Sequence, residues 1–217
     1  MTIIVTVMSI VPTLTVYTDY KSPYAFLANG RVHALAEKTG ARIDWRPYVL
    51  DVPSYLGSAT VDAAGTVVAA SRSAHQWRRI RYMFMDCRRQ ASKQGLVLRG
   101  TRKIWNSAPA AAGMLFAQQA GDAVFRDYHD TIFERFWKRE LDIEDIDTLA
   151  AVLTAAGADG EAFPAFLPTG LARVADLGKA AEADGVFGVP TFILDGEMFW
   201  GGEHLPDIFE RLTAKPI

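Results

Sequence analysis

The stretch Leu14-Thr15-Val16-Tyr17-Thr18-Asp19-Tyr20-Lys21-Ser22-Pro23-Tyr24-Ala25-Phe26 decides how this chain folds. Its first five residues, rich in β-branched and aromatic side chains, read as a strand, and Leu27 to Ala36 reads as a helix. Asp19 to Phe26 therefore turns a strand straight into a helix. The unpaired amides of a helix's first turn, with about half a positive charge from the macrodipole, stabilise an anion held there. Ser22 before Pro23 is equally a helix-start signal, the hydroxyl bonding a backbone amide and the proline occupying the first helical position. At this point both readings of Ser22 stand.

Working outward, Gly40 stops the helix and Ala41 to Leu50 reads as a second strand, so the opening is a βαβ unit with a right-handed crossover. From about Asp62 to Asp184 strand signal is weak and helices dominate. Trp77, Ile80, Phe84, Cys87 and Ala91 recur at alternating three- and four-residue steps, one face of a long helix ending at Gly95. Ser107 and Pro109 start another helix, closed by Gly121, and Asp122–Arg139, Asp145–Ala156 and Gly170–Asp184 follow. Strand signal returns at Pro190–Leu194 and Glu197–Trp200. Between them stands Asp195-Gly196, suited to a type I′ hairpin turn with positive φ at both central residues. A last helix spans Leu205–Thr213, with Pro206 where a missing amide proton costs nothing. The expected fold class is α/β, a thioredoxin-like frame (βαβ…ββα) with a large all-helical insertion. Residues 12–60 plus 185–217 form the frame and residues 61–184 the insertion.

The chain has 217 residues, half of them hydrophobic, which is enough for a proper core. A formal net charge of -2 gives no global reason to expect nucleic acid or an anionic membrane as partner. The single cysteine, Cys87, excludes an internal disulfide framework and a dithiol redox centre. It suits a reducing compartment, hence a cytoplasmic location, and reads as a small buried apolar residue. Thr2 to Met8 is apolar, but the first basic residue is Lys21, so the segment lacks the positive start of a signal peptide. It reads as a strand extension or an upstream start, with Met8 an alternative first residue. Nothing later is long and apolar enough to span a bilayer. His33, His75 and His129 lack metal-ligand spacing, and no metal is assigned.

Several stretches, taken in order, resemble one family: Asp19 with Ser22-Pro23-Tyr24; Arg81-Tyr82 through Asp86-Cys87-Arg88-Arg89; Phe136-Trp137 followed by Leu141-Asp142-Ile143; Gly185 to Phe192; and Phe199 to Leu205. They are similar to the DsbA-like branch of the thioredoxin superfamily, in particular 2-hydroxychromene-2-carboxylate isomerases and kappa-class glutathione transferases. Redox members carry Cys-x-x-Cys where this chain has Ser22-Pro23-Tyr24-Ala25. Thiol–disulfide exchange by the protein itself is thereby excluded, because only a thiolate attacks a disulfide.

The resemblance implies that the sulfur here is that of glutathione. A free thiol has a pKa of about 8.5, which helix N-termini and nearby donors lower by one to several units. A Ser22 hydroxyl donating to the sulfur would add to that shift, making the thiolate the main species. The resemblance further implies a cis Val189–Pro190 bond, with the backbone of Val189 pairing with the thiol peptide, and places its γ-glutamyl end near Gly202, Glu203 and His204. There relatives commonly carry Asp before Arg, and a carboxylate capping the last helix is the competing reading of Glu203. Relatives often carry Gly-Asn near position 57, where this sequence has Gly57-Ser58.

Arg72, Arg78, Arg79, Arg81, Arg88, Arg89 and Lys93 meet one acid, Asp86, in their stretch. They form either a solvated helix face or a source of carboxylate-binding forks, and spacing along the apolar seam favours Arg81 and Arg88. Tyr24, Trp105, Trp137 and Trp200 are candidates for an aromatic pocket wall, or for plain core. The implied activity is a glutathione-dependent cis–trans isomerisation of a conjugated aromatic acid through a reversible thiolate adduct. Ser22 is its catalytic residue, Pro23 a thiol-side contact, and Tyr24 a substrate contact. A transferase acting on another electrophile and a non-catalytic binding protein are the alternatives. The resemblance also implies a homodimer.

Overall fold

The computed structural model describes residues 11–214, so the apolar start and the choice between Met1 and Met8 lie outside the described residues. The chain runs β1 (Thr13–Thr18), α1 (Pro23–Thr39), β2 (Arg42–Pro47), α2 (Val52–Leu56), β3 (Ala59–Val61), β4 (Val67–Ala70), α3 (Ala74–Lys93) and α4 (Ala108–Gln119). It continues through α5 (Asp122–Trp137), α6 (Ile146–Ala156), α7 (Phe163–Ala183), β5 (Thr191–Leu194), β6 (Glu197–Trp200) and α8 (Leu205–Thr213). The frame is the expected one. A four-stranded sheet has the order β2-β1-β5-β6, with β1 parallel to β2 and antiparallel to β5, and β5 antiparallel to β6. Its centre is apolar: Val16 pairs with Trp45 on one side and Phe192 on the other, and all three are buried.

Local sequence explains the boundaries. Gly40, at φ 70°, takes the left-handed conformation that ends α1, and its N–H donates to the Ala36 carbonyl. Asp195 and Gly196, at φ 51° and 81°, supply the positive dihedrals the β5–β6 turn requires. The seam of α3 is as expected, with Ile80, Cys87 and Ala91 buried beneath it.

Two expectations are corrected. The insertion is not all helical, because β3 and β4 form a short antiparallel hairpin. Its signal is faint, since every residue of β4 is exposed and no alternation marks an inner face. The cues present are β-branched residues either side of a turn in which Asp62 accepts from the Thr66 N–H at 2.9 Å, with Gly65 at φ 87°. Second, α7 begins at Phe163 rather than Gly170. Pro164 and Pro168 obscure its first two turns, but the rings of Phe163 and Phe166 pack 5.8 and 5.1 Å from that of Phe116 in α4. Packing there outweighs the one backbone bond that Pro168 cannot make.

Candidate active site

The β1–α1 turn is fixed from both sides. Asp19, buried, accepts from the N–H groups of Lys21 at 3.2 Å and Leu50 at 2.8 Å, tying the turn to the segment after β2. From the insertion, Trp137 of α5 donates its indole N–H to the Tyr20 carbonyl at 3.1 Å. The Tyr20 hydroxyl also meets His129 Nδ1 at 2.9 Å. Burial pushes His129 down to about 3, so the imidazole is neutral and shares one proton with the phenol.

Ser22 follows directly. Its Oγ accepts from the Ala25 N–H at 3.2 Å and donates to the Val189 carbonyl at 3.4 Å, while Pro23 opens α1. The helix-start reading is thus realised, and the hydroxyl proton is engaged only in a long bond. The Val189–Pro190 peptide is cis, and Val189 faces the helix N-terminus. Among the described residues, neither the Tyr24 N–H nor the Val189 N–H has a hydrogen-bond partner.

Ser22 and Val189 line one cavity of about 1020 Å³, at the upper end of the size of ligand pockets. Pro23, Tyr24, Pro190, Gly202 and Glu203 line it as well. Trp105 and Trp200 stand in its wall, whereas Trp137 is core, 1% exposed. Trp200 lies so close to the loop before the cis bond that a Cβ on Gly188 would fall 2.7 Å from its Nε1. Burial pushes the Tyr24 phenol up to about 12, so it stays a proton donor. Behind it Cys87 is fully buried and pushed up to about 11 by the same cause, an inert thiol.

Three expected contacts lie elsewhere. His204 sits outside the cavity lining, its Nδ1 3.5 Å from Asp207 and its ring 5.9 Å from that of Phe199. Arg81 folds onto its own helix, Nε donating to the Trp77 carbonyl at 3.3 Å, and neither it nor Arg88 lines the cavity. The cavity lies on the opposite flank of the α3 seam, where Arg79, Met83 and Asp86 stand. Spacing along the seam is the same for both flanks, so only the fold chooses between them. Glu203, for its part, makes no capping hydrogen bond to α8.

The cations that do line the cavity are Lys21, Arg31, Arg72, Arg79 and Lys103, against two carboxylates, Asp86 and Glu203. Two already face carboxylates, Lys103 pairing with Glu144 at 2.6 Å and Lys21 lying 3.7 Å from Asp19, and Arg72 lies over the Trp77 ring with its Nε donating to the Gly57 carbonyl at 3.4 Å. Arg31 was invisible to motif reading. The signal that could have found it is a helical stripe, since Tyr24, Leu27, Ala28 and Arg31 follow one another at i, i+3, i+4 and i+7 and all line the cavity.

Residues 13–213 match the family model of the DsbA-like thioredoxin domain. The chain belongs to the DsbA-like thioredoxin family. Within that family it is 30% identical over 202 residues to the 2-hydroxychromene-2-carboxylate isomerase of Sphingobium xenophagum, covering 89% of this chain and 94% of that one. A solved 2-hydroxychromene-2-carboxylate isomerase superposes with a TM-score of 0.71 at 26% identity, covering 92% and 94% of the two chains. A probable DsbA oxidoreductase from Streptomyces coelicolor superposes almost as well, at TM-score 0.70 with 18% identity over 95% and 92% of the chains, and shows the fold alone. The fold by itself does not decide the chemistry, and the turn at Ser22 holds no cysteine, the one cysteine of the chain being the buried Cys87.

Proposed function

We propose that the chain is a glutathione-dependent isomerase of the 2-hydroxychromene-2-carboxylate type. One observation carries the reading. A thiol-free helix N-terminus, capped by the Ser22 hydroxyl, opens beside the unpartnered Val189 N–H into a cavity large enough for a tripeptide and a second molecule. The residues present suit glutathione, whose two carboxylates and single ammonium match a wall with cations in excess. The relatives named for the isomerase support the reaction class.

Each residue then has a task. Val189 offers its N–H and carbonyl to the extended peptide, and α1 and the Tyr24 N–H face the sulfur. The Ser22 proton exchanges a 3.4 Å bond to a neutral carbonyl for a shorter, charge-assisted one to the sulfur. Bound there, glutathione would supply a thiolate that adds reversibly to a conjugated carbonyl of an aromatic acid, so that a single bond turns before the thiol departs. Tyr24, Trp105 and Trp200 enclose the aromatic body, and Arg79 with Arg72 takes the acid's carboxylate. Fixed dipoles already aimed at the developing charge lower its cost.

Titration with glutathione at neutral pH, followed by ultraviolet absorption of the thiolate, tests this reading. Saturable binding with a thiolate signal is the expected result, and binding without one refutes activation at Ser22. Turnover that leaves total glutathione unchanged identifies an isomerase, whereas stoichiometric consumption identifies a transferase.

A further inference from the structure

In the proposed reaction Lys21, directly before Ser22, has no task. Its side chain lines the cavity and is only 7% exposed. An ammonium so buried is costly unless an opposite charge offsets it and acceptors fill its three N–H donors. Among the described residues that offset is incomplete. The Lys21 Nζ lies 3.7 Å from Asp19 Oδ2, beyond hydrogen-bond distance, and donates to no other group. Asp19 instead commits its oxygens to the N–H groups of Lys21 and Leu50, at 3.2 and 2.8 Å.

The charge of Lys21 reaches the wall that the insertion supplies. Burial pushes the Glu144 carboxyl up, yet the bonds from Lys103 and the Asn106 N–H, together with the charge of Lys21, hold it below its usual range. Lys103, 2.6 Å from Glu144, lies 4.2 Å over the ring of Trp105. Lys21 therefore stands one residue from the group that faces the sulfur, on the side of the aromatic wall. The sulfur already has Ser22, the Tyr24 N–H and the terminus of α1. The unfilled donors of Lys21 suit negative charge that appears on the second reactant.

We infer that Lys21 is the electrophilic group of the reaction, its ammonium donating to the carbonyl oxygen of the conjugated acceptor as that oxygen becomes anionic. The inference rests on the glutathione reading and deepens it. As the carbon–sulfur bond forms, the π electrons of the acceptor shift onto the carbonyl oxygen, and Lys21 holds the resulting enolate while keeping its own proton. Breaking that bond returns the thiolate, re-forms the carbon–carbon double bond in its turned geometry and leaves the oxygen neutral. No proton or electron is gained or lost over the cycle. Lys21 thus favours acceptors that gather the charge on one oxygen, conjugated ketones and aldehydes.

Calorimetric titration of the whole chain with 4-nitrophenolate, whose charge is delocalised from one oxygen as an enolate's is, and with the uncharged 4-nitroanisole tests this without glutathione or turnover. Wild type should bind the anion about tenfold more tightly than the ether, as expected for one charge-assisted contact. Lys21→Met and Lys21→Gln should both abolish the preference. Arg88→Met removes the same charge outside the cavity lining and should change the preference by less than about twofold. The thiolate signal of bound glutathione should persist in both Lys21 variants. A wild-type preference below about twofold, a preference retained without Lys21, or an equal loss in Arg88→Met overturns the inference. Loss of the thiolate signal in the Lys21 variants would place the ammonium at the sulfur and overturn it too, with the glutathione reading intact. Failure of wild type to bind glutathione overturns that reading, a result the phenolate titration cannot produce.

Discussion

The Ser22 hydroxyl donates to the Val189 carbonyl across 3.4 Å, joining the first turn of α1 to the residue before the cis proline. In the proposed reaction these two groups meet the same ligand, so the site is held closed upon itself by a weak bond that a stronger one replaces. The same oxygen also caps α1. Position 22 therefore carries a structural role and a chemical one, and substitutions can separate them.

Ser22→Ala should lower stability by about 1 kcal/mol through the lost cap. It should also raise the pKa of the bound thiol by one to two units, equivalent to about 1.4 to 2.7 kcal/mol. Ser22→Gly should recover most of the stability, since glycine at this position costs only a few tenths of a kcal/mol, without recovering the thiolate. Denaturant unfolding beside ultraviolet pH titration of the glutathione complex measures both. A thiolate signal unchanged in Ser22→Gly would show that the helix terminus, not the hydroxyl, activates the sulfur.

The two flanks of α3 make opposite predictions. Arg79→Met should weaken binding of an aromatic carboxylate about tenfold, the loss of one charged hydrogen bond. Arg81→Met and Arg88→Met should change it by less than about twofold, because neither side chain lines the cavity. Fluorescence titration, with Trp105 and Trp200 as reporters in the wall, reads all three.

Gly188→Ala tests the close approach beneath Trp200. The added methyl would sit 2.7 Å from Nε1, so the indole must move outward. Weaker glutathione binding with a shifted tryptophan emission is expected, together with a small loss of stability of about 1 kcal/mol from overpacking. An unchanged emission spectrum would contradict the geometry of this wall.

His129 gives the fold a pH dependence of defined sign. Its folded pKa of about 3 lies below the ordinary imidazole value of 6.5, so between these values the unfolded chain holds the extra proton. Stability is then complete above about pH 6.5 and falls as pH drops, with a slope of up to about 1.4 kcal/mol per unit. Asp130 is held low by its bonds to His33 and Asn29, though burial opposes this, and it adds its own loss only in the carboxylate range below. Unfolding curves at pH 7, 6 and 5 for wild type and His129→Leu isolate the histidine (pH values chosen to lie above about 4). The variant should be less stable at pH 7, its Tyr20 hydroxyl left without a partner, and nearly flat over this range.

Sequence and structure agree most where one residue's own conformation decides the outcome. Asp195-Gly196 announces a hairpin because few other pairs accept positive φ twice, and Gly40 announces the end of α1 for a related reason. Agreement fails where the decision is made at a distance. The β3–β4 hairpin is too short and too exposed to show an alternation, and part of its anchoring comes from the Arg102 carbonyl, which accepts from the Val61 N–H at 2.8 Å. Arg81 and Arg88 were chosen by a spacing that Arg79 and Asp86 share on the other side of the seam. Ser22, Tyr24 and Val189 were found through family resemblance, since no local pattern says that residues 167 positions apart will touch.

The double hold of α5 on Tyr20 has a consequence for how the molecule comes apart. The phenol is tied to His129 and the carbonyl to Trp137, both from the helical portion, while the tyrosine itself belongs to the sheet portion. Severing the chain near 60 and 184 would leave each fragment with orphaned buried partners, so the halves should melt in a single transition. A thiol docking at the mouth of the first helix would then stiffen the distant bundle as well, and slowed amide exchange along α5 would be its signature.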